Sequence, residues 1–391
     1  MKELGVITDI EQVTPDRLTS IFKNKGYLSN GKVTKTINKN SEITVTSSVH
    51  YLELHFSNDA QTVPTNPNII VRFPKHYEYN KMIGRHEAKF YAIVAENMDQ
   101  LPIPICYDAA LSEETGWSHI ILEDLSKKHV EIESTQGGGC APPPTKQYCE
   151  KAIDNLAELH SYWWDHPKLM EFSKYSYTFY NFTENSFNAQ DLAIISVAPP
   201  DQSSEGLTRF ENVNDNLVFE QFLKLLENRI SDKRKSYLQR LFSSFPLIAH
   251  ERIKTKNITI IHNDAHMGNF FYPKDMLNQK AKAKLIDWQT WGIGVGCQDI
   301  AYMIGMWFFP DYRHLIEKDL IKRYHDNLVK FGINEYSWDD CWRDYKLFAL
   351  LNLYRIIFWW CFKPALALLW MRLECSLRTI EDLNCMELLE H

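Results

Sequence analysis

Apolar positions recur along this chain with two periods, and the change from one to the other organises it. Thr14–Asn24 opens on Thr-Pro, a helix-start signal, and carries Leu18, Ile21 and Phe22 along one side, which predicts a short leading helix. From Gly31 to Asn58 the period shortens to two. Strands are predicted at Val33–Ile37, Ile43–Val45 and Val49–Phe56, with a turn at Thr46-Ser47-Ser48 between the last two. A polar loop with two prolines leads to another strand, Ile69–Phe73, ended by Pro74. Over His86–Asn97 the helical period returns, and Glu87, Phe90, Tyr91 and Val94 share one face. Leu101–Ile105 reads as an extended edge segment and Trp117–Leu122 as a strand.

The rest of the chain is mostly helical in pattern. Ser134–Thr145, with Gly137–Gly139 and Pro142–Pro144, is a loop by composition. Gln147–Trp164 is a helix with Ile153, Leu156, Ala157 and His160 on one face, read as a core helix without a chemical role. Phe172–Pro200 has weak periodicity; its aromatics Tyr175, Tyr177, Phe179 and Tyr180 either line an acceptor site or pack. Helices follow at Asp215–Arg229 and Asp232–Phe242. Two β-branched runs, Ile258–Ile261 and Ala283–Ile286, read as short buried strands lying side by side. Gly292, Gly294 and Gly296 form a flexible loop, and from Tyr302 onward the pattern is helical, with no internal repeat.

Composition narrows the class. The chain has 391 residues, 45% hydrophobic and 24% charged, ordinary for a soluble globular protein that can build two lobes. A net charge of −7 argues against nucleic acid, whose phosphates need a basic surface. The start, Met1–Asp9, lacks the apolar core of a signal peptide. The apolar stretch Leu347–Leu377 is broken by Arg355, Lys363, Pro364 and Arg372, so no membrane span is expected. The eight cysteines are scattered and form no Cys-x-x-Cys pair; reduced thiols and a cytoplasmic location are expected.

The chemistry gathers at Ile258–Asn269. The strand there runs into a polar loop holding His262, Asp264, His266 and Asn269, and the second strand ends in Asp287-Trp288-Gln289. An amide and a carboxylate, Asn269 and Asp287, are oxygen donors suited to Mg²⁺ beside a phosphate chain. That leaves Asp264 as a second carboxylate able to accept a proton from an attacking hydroxyl. His262 and His266 are read as shaping the loop rather than taking the proton.

His-x-Asp-x-x-x-x-Asn is the spacing of the kinase catalytic loop. With Asp287-Trp288-Gln289 behind it, the chain resembles the aminoglycoside phosphotransferase and choline kinase superfamily, in its ecdysteroid-kinase-like branch. The resemblance implies an α+β, bilobal protein-kinase-like fold. Residues 1–125 would form a small antiparallel sheet lobe with one helix, ending in a hinge. Residues 126–391 would form a large, mainly helical lobe with a variable insert at about 165–250. It further implies ATP with Mg²⁺ and a small-molecule hydroxyl as acceptor. Arg72 stands where many relatives have lysine to hold the nucleotide phosphates, and Glu87 pairs with it. Glu123-Asp124-Leu125 is the hinge whose backbone meets the purine, and Asp299 is the buried aspartate that braces the catalytic loop. The first hairpin turn departs from the pattern by having no glycine.

The acceptor class stays open. Tryptophans at 307, 338, 342, 359, 360 and 370, with Glu374, Glu381 and Asp382 as negative charge, make either a cage for a cationic amine or ordinary core. Two other functional classes stand beside the kinase: a nucleotide-binding pseudokinase acting by interaction, and a hydrolase with paired carboxylates. A protein kinase fits less well, because no Ala-Pro-Glu ends an activation segment after Asp287.

Overall fold

Val33–Ile43 is one continuous strand, paired antiparallel with Ser47–Phe56. The two short strands and the turn expected there are corrected accordingly: Ser47 and Ser48 already belong to the second strand. Register shifts between Val33 and Lys35 and between Asn38 and Asn40 interrupt the alternation that period-two reading relies on. The structure is a computed structural model and describes the chain apart from residues 1–4, 45, 63–65, 99–100, 133–142, 177–214, 254, 362–365 and 390–391. Most of the expected glycine-rich loop and the part of the variable insert from 177 to 214, with Tyr177, Phe179 and Tyr180, lie outside the described residues.

The chain divides into two compact units, residues 1–130 with 284–290 and residues 131–283 with 291–391. In the first, five antiparallel strands lie in the order Val33–Ile43, Ser47–Phe56, Asn68–Pro74, Ser118–Glu123, Cys106–Leu111. Thr14 caps the helix Pro15–Asn24, whose Leu18, Ile21 and Phe22 join Leu52, Leu54, Ile69, Val71 and Ile121 in one apolar core. Alternation along Asn68–Pro74 buries Ile69, Val71 and Phe73 and turns Arg72 to the opposite face. The helix expected to carry Glu87 begins earlier than its apolar face suggests, at Glu78, and passes at Phe90–Val94 into a π turn. Leu101–Ile105 is bent rather than strand, with Ile103 N–H bonded to the Leu101 carbonyl.

Residues 284–290 belong to this first unit despite their place in the sequence. Leu285 N–H donates to the Pro102 carbonyl, and buried Trp288 stacks on Phe90 with ring centroids 3.8 Å apart and planes 5° apart. Such a pair contributes about 0.5–1.5 kcal/mol beyond the area it buries. Asp287 is thereby held against the helix that carries Glu87.

The second unit is helical. Lys146–Trp163 packs on Pro310–Lys330, and Trp338–Cys361 packs on Leu366–Asp382 and on Asp232–Ile253. Thr259–Ile261 pairs antiparallel with Gly292–Gly294. This corrects two expectations. The strand before the His262–Asn269 loop does not pair with the run at 283–286, and of the glycines read as a flexible loop Gly292 and Gly294 lie in a strand while Gly296 is the N-cap of the next helix. Close approach explains them. A Cβ at Gly294 would collide with the Gln298 side chain and lie 2.7 Å from Ile261 Cδ1. One at Gly296 would collide with the Tyr324 hydroxyl and lie 2.6 Å from His160 Nδ1. Gly296→Ala is therefore expected to destabilise the fold by about 1–3 kcal/mol, the usual cost of overpacking. A urea midpoint equal to wild type would show that His160 and Tyr324 yield freely.

Among the described residues no helix is long and apolar enough to cross a membrane. Cys106, Cys149, Cys297, Cys341, Cys375 and Cys385 carry free thiols.

Candidate active site

In the first unit the polar cluster is built around Arg72. Its Nη1 donates to Glu87 Oε1 at 3.1 Å and to Asp287 Oδ1 at 3.0 Å. Glu87 also accepts hydrogen bonds from the Trp288 backbone and the Gln289 side chain. Burial pulls the Arg72 pKa down, but the carboxylates of Glu87 and Asp287 override it and the net shift is upward, so the guanidinium is charged. Burial raises the Glu87 carboxyl against the pull of Arg72, and the like charge of Asp287 adds to the rise. The expected Arg72–Glu87 pair is thus present, and Asp287 joins it. Asp287 itself sits at φ 67°, a left-handed conformation that a short polar residue tolerates.

Glu123, Asp124 and Leu125, expected to form the hinge, divide by task. Glu123 turns its carboxylate to Lys284 Nζ at 2.6 Å and to the Ile105 N–H at 3.0 Å. Asp124 caps Ser126 N–H at 2.8 Å, gives its own N–H to the Asn68 carbonyl, and accepts at its carbonyl from Asn66 Nδ2 at 3.0 Å. Both side chains therefore hold the hinge in shape. Leu125 offers its carbonyl to Lys128 and His129, while its N–H has no partner among the described residues.

In the second unit the His262–Asn269 loop hangs from Asp299. This buried carboxylate accepts the N–H groups of His262 and Asn263, each at 2.7 Å, and faces His160 Nε2 at 3.3 Å. It lies inside the helix Cys297–Ala301, whose N-cap is Gly296, so its contacts are those of a brace and not of a cap. Burial alone would raise its pKa; the hydrogen bond and charge of His160, with the loop, bring it below the ordinary value. His160, read as plain core, is thus part of the brace, and its Nδ1 meets the Tyr324 hydroxyl at 2.8 Å.

Asp264 is framed on both oxygens. Oδ1 accepts from the Tyr302 hydroxyl at 2.6 Å, and Oδ2 lies 3.3 Å from Asn269 Nδ2. The same Nδ2 donates to the Asp264 carbonyl at 2.9 Å, which commits the nitrogen of the amide and leaves Oδ1 as its acceptor atom. The histidines use ring nitrogens on the loop itself: His262 Nδ1 accepts from Asp264 N–H and His266 Nδ1 from Gly268 N–H. That is the shaping role expected of them.

Tyr302 and Arg355 are among the residues that escaped the sequence reading. Tyr302 follows Asp299 by three positions, and that helical spacing was the available signal. Arg355 is buried in an otherwise apolar stretch of helix; it donates to the Asn263 carbonyl and lies 4.4 Å from the centre of the Tyr302 ring. An arginine amid apolar neighbours requires a buried acceptor, and here that is the left-handed residue before Asp264, at φ 66°.

The acidic side of the suggested amine cage does not form. Arg234 binds both Glu374, at 2.6 Å, and Glu381, at 2.8 Å, and Asp382 pairs with Arg313 and His314. The chain's own cations already lie over two of the indoles, Arg372 at 3.9 Å from Trp307 and Lys322 at 5.8 Å from Trp338. Trp338 and Trp342, both half-buried, stack on each other.

Among the described residues no group of three or more His, Cys, Asp and Glu side chains could hold a metal. The donors expected at 269 and 287, an amide and a carboxylate oxygen, fit Mg²⁺, which keeps several waters and substrate oxygens and needs few protein ligands.

A five-stranded antiparallel sheet with a helix carboxylate on a strand cation, followed by a braced His-x-Asp loop in a helical unit, is a protein-kinase-like fold. The chain belongs to the ecdysteroid kinase-like family, which it matches over residues 79–333. Among solved structures it is similar to an ethanolamine kinase of Plasmodium vivax, at 12% identity and TM-score 0.51, covering 90% of this chain and 83% of that one. It is also similar to a choline kinase from Streptococcus pneumoniae, at 13% identity and TM-score 0.41, covering 90% and 94%. A third is a wild-type aminoglycoside 2'-phosphotransferase in complex with GDP, at 12% identity and TM-score 0.46, covering 94% and 99%. A comparison with curated proteins found no match.

Proposed function

We propose that this chain transfers the terminal phosphoryl group of ATP to a hydroxyl group of a small molecule. The observation that supports this most directly is the joining of Arg72, Glu87 and Asp287 through one guanidinium nitrogen. A strand cation, the helix carboxylate that holds it and a metal-binding acid are then fixed together, a costly arrangement to bury unless a phosphate chain uses it.

Each residue has a task in this reading. Leu125 N–H donates to the purine edge. Arg72 binds α- and β-phosphate oxygens, and Glu87 holds Arg72. Asn269 Oδ1 and Asp287 are the ligands for Mg²⁺, which when bound neutralises phosphate charge. Asp264 orients the acceptor hydroxyl and takes its proton as the oxygen attacks the terminal phosphorus. The protein does little covalent work, and positioning with charge neutralisation supplies the rate.

Mg²⁺-ATP is expected to raise the melting temperature of the full chain, and slow ADP release with water as acceptor should follow. The shift should need the metal and disappear in Asp287→Ala. A shift of equal size with ATP and EDTA would mean that nucleotide binding does not need the metal, and a full Mg²⁺-dependent shift in Asp287→Ala would place the metal ligand elsewhere. The second reading, a nucleotide-binding pseudokinase acting as an interaction module, is favoured by the glycine-free turn and by Arg72 at the lysine position. It predicts the thermal shift without any ADP release.

A further inference from the structure

A guanidinium has five N–H donors, and Arg72 spends three of them inside its own unit. Nη1 serves the two carboxylates. Nε donates to Ser47 Oγ at 3.1 Å. Nη2 has no partner among the described residues, although 17% of the side chain is exposed.

Strand register brings Ser47 to this place. Val49 lies directly opposite Arg72 and Ser47 opposite Pro74, so Ser47 is the diagonal neighbour of Arg72 on the same face. The serine is 3% exposed and fixed from behind. Its N–H donates to Thr44 Oγ1 at 3.0 Å, its carbonyl accepts the Thr44 N–H at 2.9 Å, and its hydroxyl lies 3.3 Å from that of Thr46. Thr46 in turn accepts from Gln289 Nε2 at 3.4 Å. The turn without glycine is therefore tied to the same cluster as Asp287.

A lysine at position 72 carries a methylene where arginine has Nε, and so has no donor at that point of its side chain. An arginine is different, because a guanidinium with Nε unheld can rotate about its last torsion and offer a two-nitrogen edge to a carboxylate. That rotation would draw Nη2 toward Glu87 or Asp287 and away from a ligand. We propose that Ser47 is a positioning residue for nucleotide binding: by holding Nε it keeps both carboxylates on Nη1 and leaves Nη2 directed at a phosphate oxygen. This rests on the reading of Arg72 as the phosphate cation.

The test is calorimetric titration of the full-length protein with Mg²⁺-ATP, with a melting curve for each variant. Ser47→Ala should weaken binding about tenfold, the worth of one hydrogen bond to a charged group. Ser47→Thr keeps the hydroxyl and should restore binding. In an Arg72→Lys background Ser47→Ala should have no further effect, which a merely structural serine would not reproduce. Wild-type affinity in Ser47→Ala, or the same loss in both backgrounds, would overturn the proposal while leaving the nucleotide reading intact. Absence of Mg²⁺-ATP binding to the wild-type protein would overturn both.

Discussion

Asp264→Asn is expected to bind Mg²⁺-ATP within about twofold of wild type while losing transfer to any acceptor, a pattern that marks an interaction made only in the transition state. An amide is nearly the size of a carboxylate, so the loop has no reason to collapse. Its oxygen can still accept from the Tyr302 hydroxyl, which lies 2.6 Å from Asp264 Oδ1. The backbone carbonyl of residue 264, which receives Asn269 Nδ2, is untouched. What disappears is the ability to take a proton, and a positioned general base contributes about 10²–10⁴-fold. ADP release under saturating Mg²⁺-ATP, with water or an accepted alcohol, measures it. A variant that turns over at the wild-type rate would remove Asp264 from the base role and favour substrate or water as proton acceptor. A variant that loses nucleotide binding as well would show that Asp264 shapes the nucleotide site instead.

How much of this could be read from the amino acids depends on how local each contact is. His262, Asp264 and Asn269 lie within one loop, so their spacing carried the chemistry. Glu87 was legible because a carboxylate on an apolar helix face asks for a buried cation, and Arg72 answered it. Ser47, Tyr302, Arg355 and His160 were not read as site residues, because strand register and helix packing bring them to their partners. Ser47 was placed in a turn since bulges broke the alternation of the strand before it. Gly292–Gly294 was read as flexible because glycine signals freedom in sequence, whereas here it allows two elements to approach more closely than any Cβ permits. The helix bearing Glu87 begins eight residues before the expected start because Glu78–Arg85 is polar in pattern and declares no apolar face. The acidic residues 374, 381 and 382 were offered to an amine, but arginines far away in sequence had already claimed them.

The brace at Asp299 is where loop geometry and fold stability meet, and Asp299→Ala should damage both. The carboxylate receives two backbone N–H groups of the catalytic loop at 2.7 Å and faces His160, all of them buried. Each orphaned donor costs about 1–3 kcal/mol, so with two backbone N–H groups left unpaired the variant is expected to lose at least about 2 kcal/mol. Asn263 would also lose one of the contacts that hold its left-handed backbone, while those from Arg355 remain. Turnover should fall with stability, because Asp264 is the next residue. Acid separates this from general damage. The folded carboxyl titrates below its ordinary value of 3.8, so the folded state holds fewer protons there than the unfolded chain does. The stability it contributes is complete above that value and fades as pH falls through the folded pKa. The urea-measured gap between wild type and Asp299→Ala should therefore be full at neutral pH and narrow at about pH 3. A gap of the same size at both pH values would mean that Asp299 acts through shape alone, and that the loop is held by His262, Asn269 and Arg355.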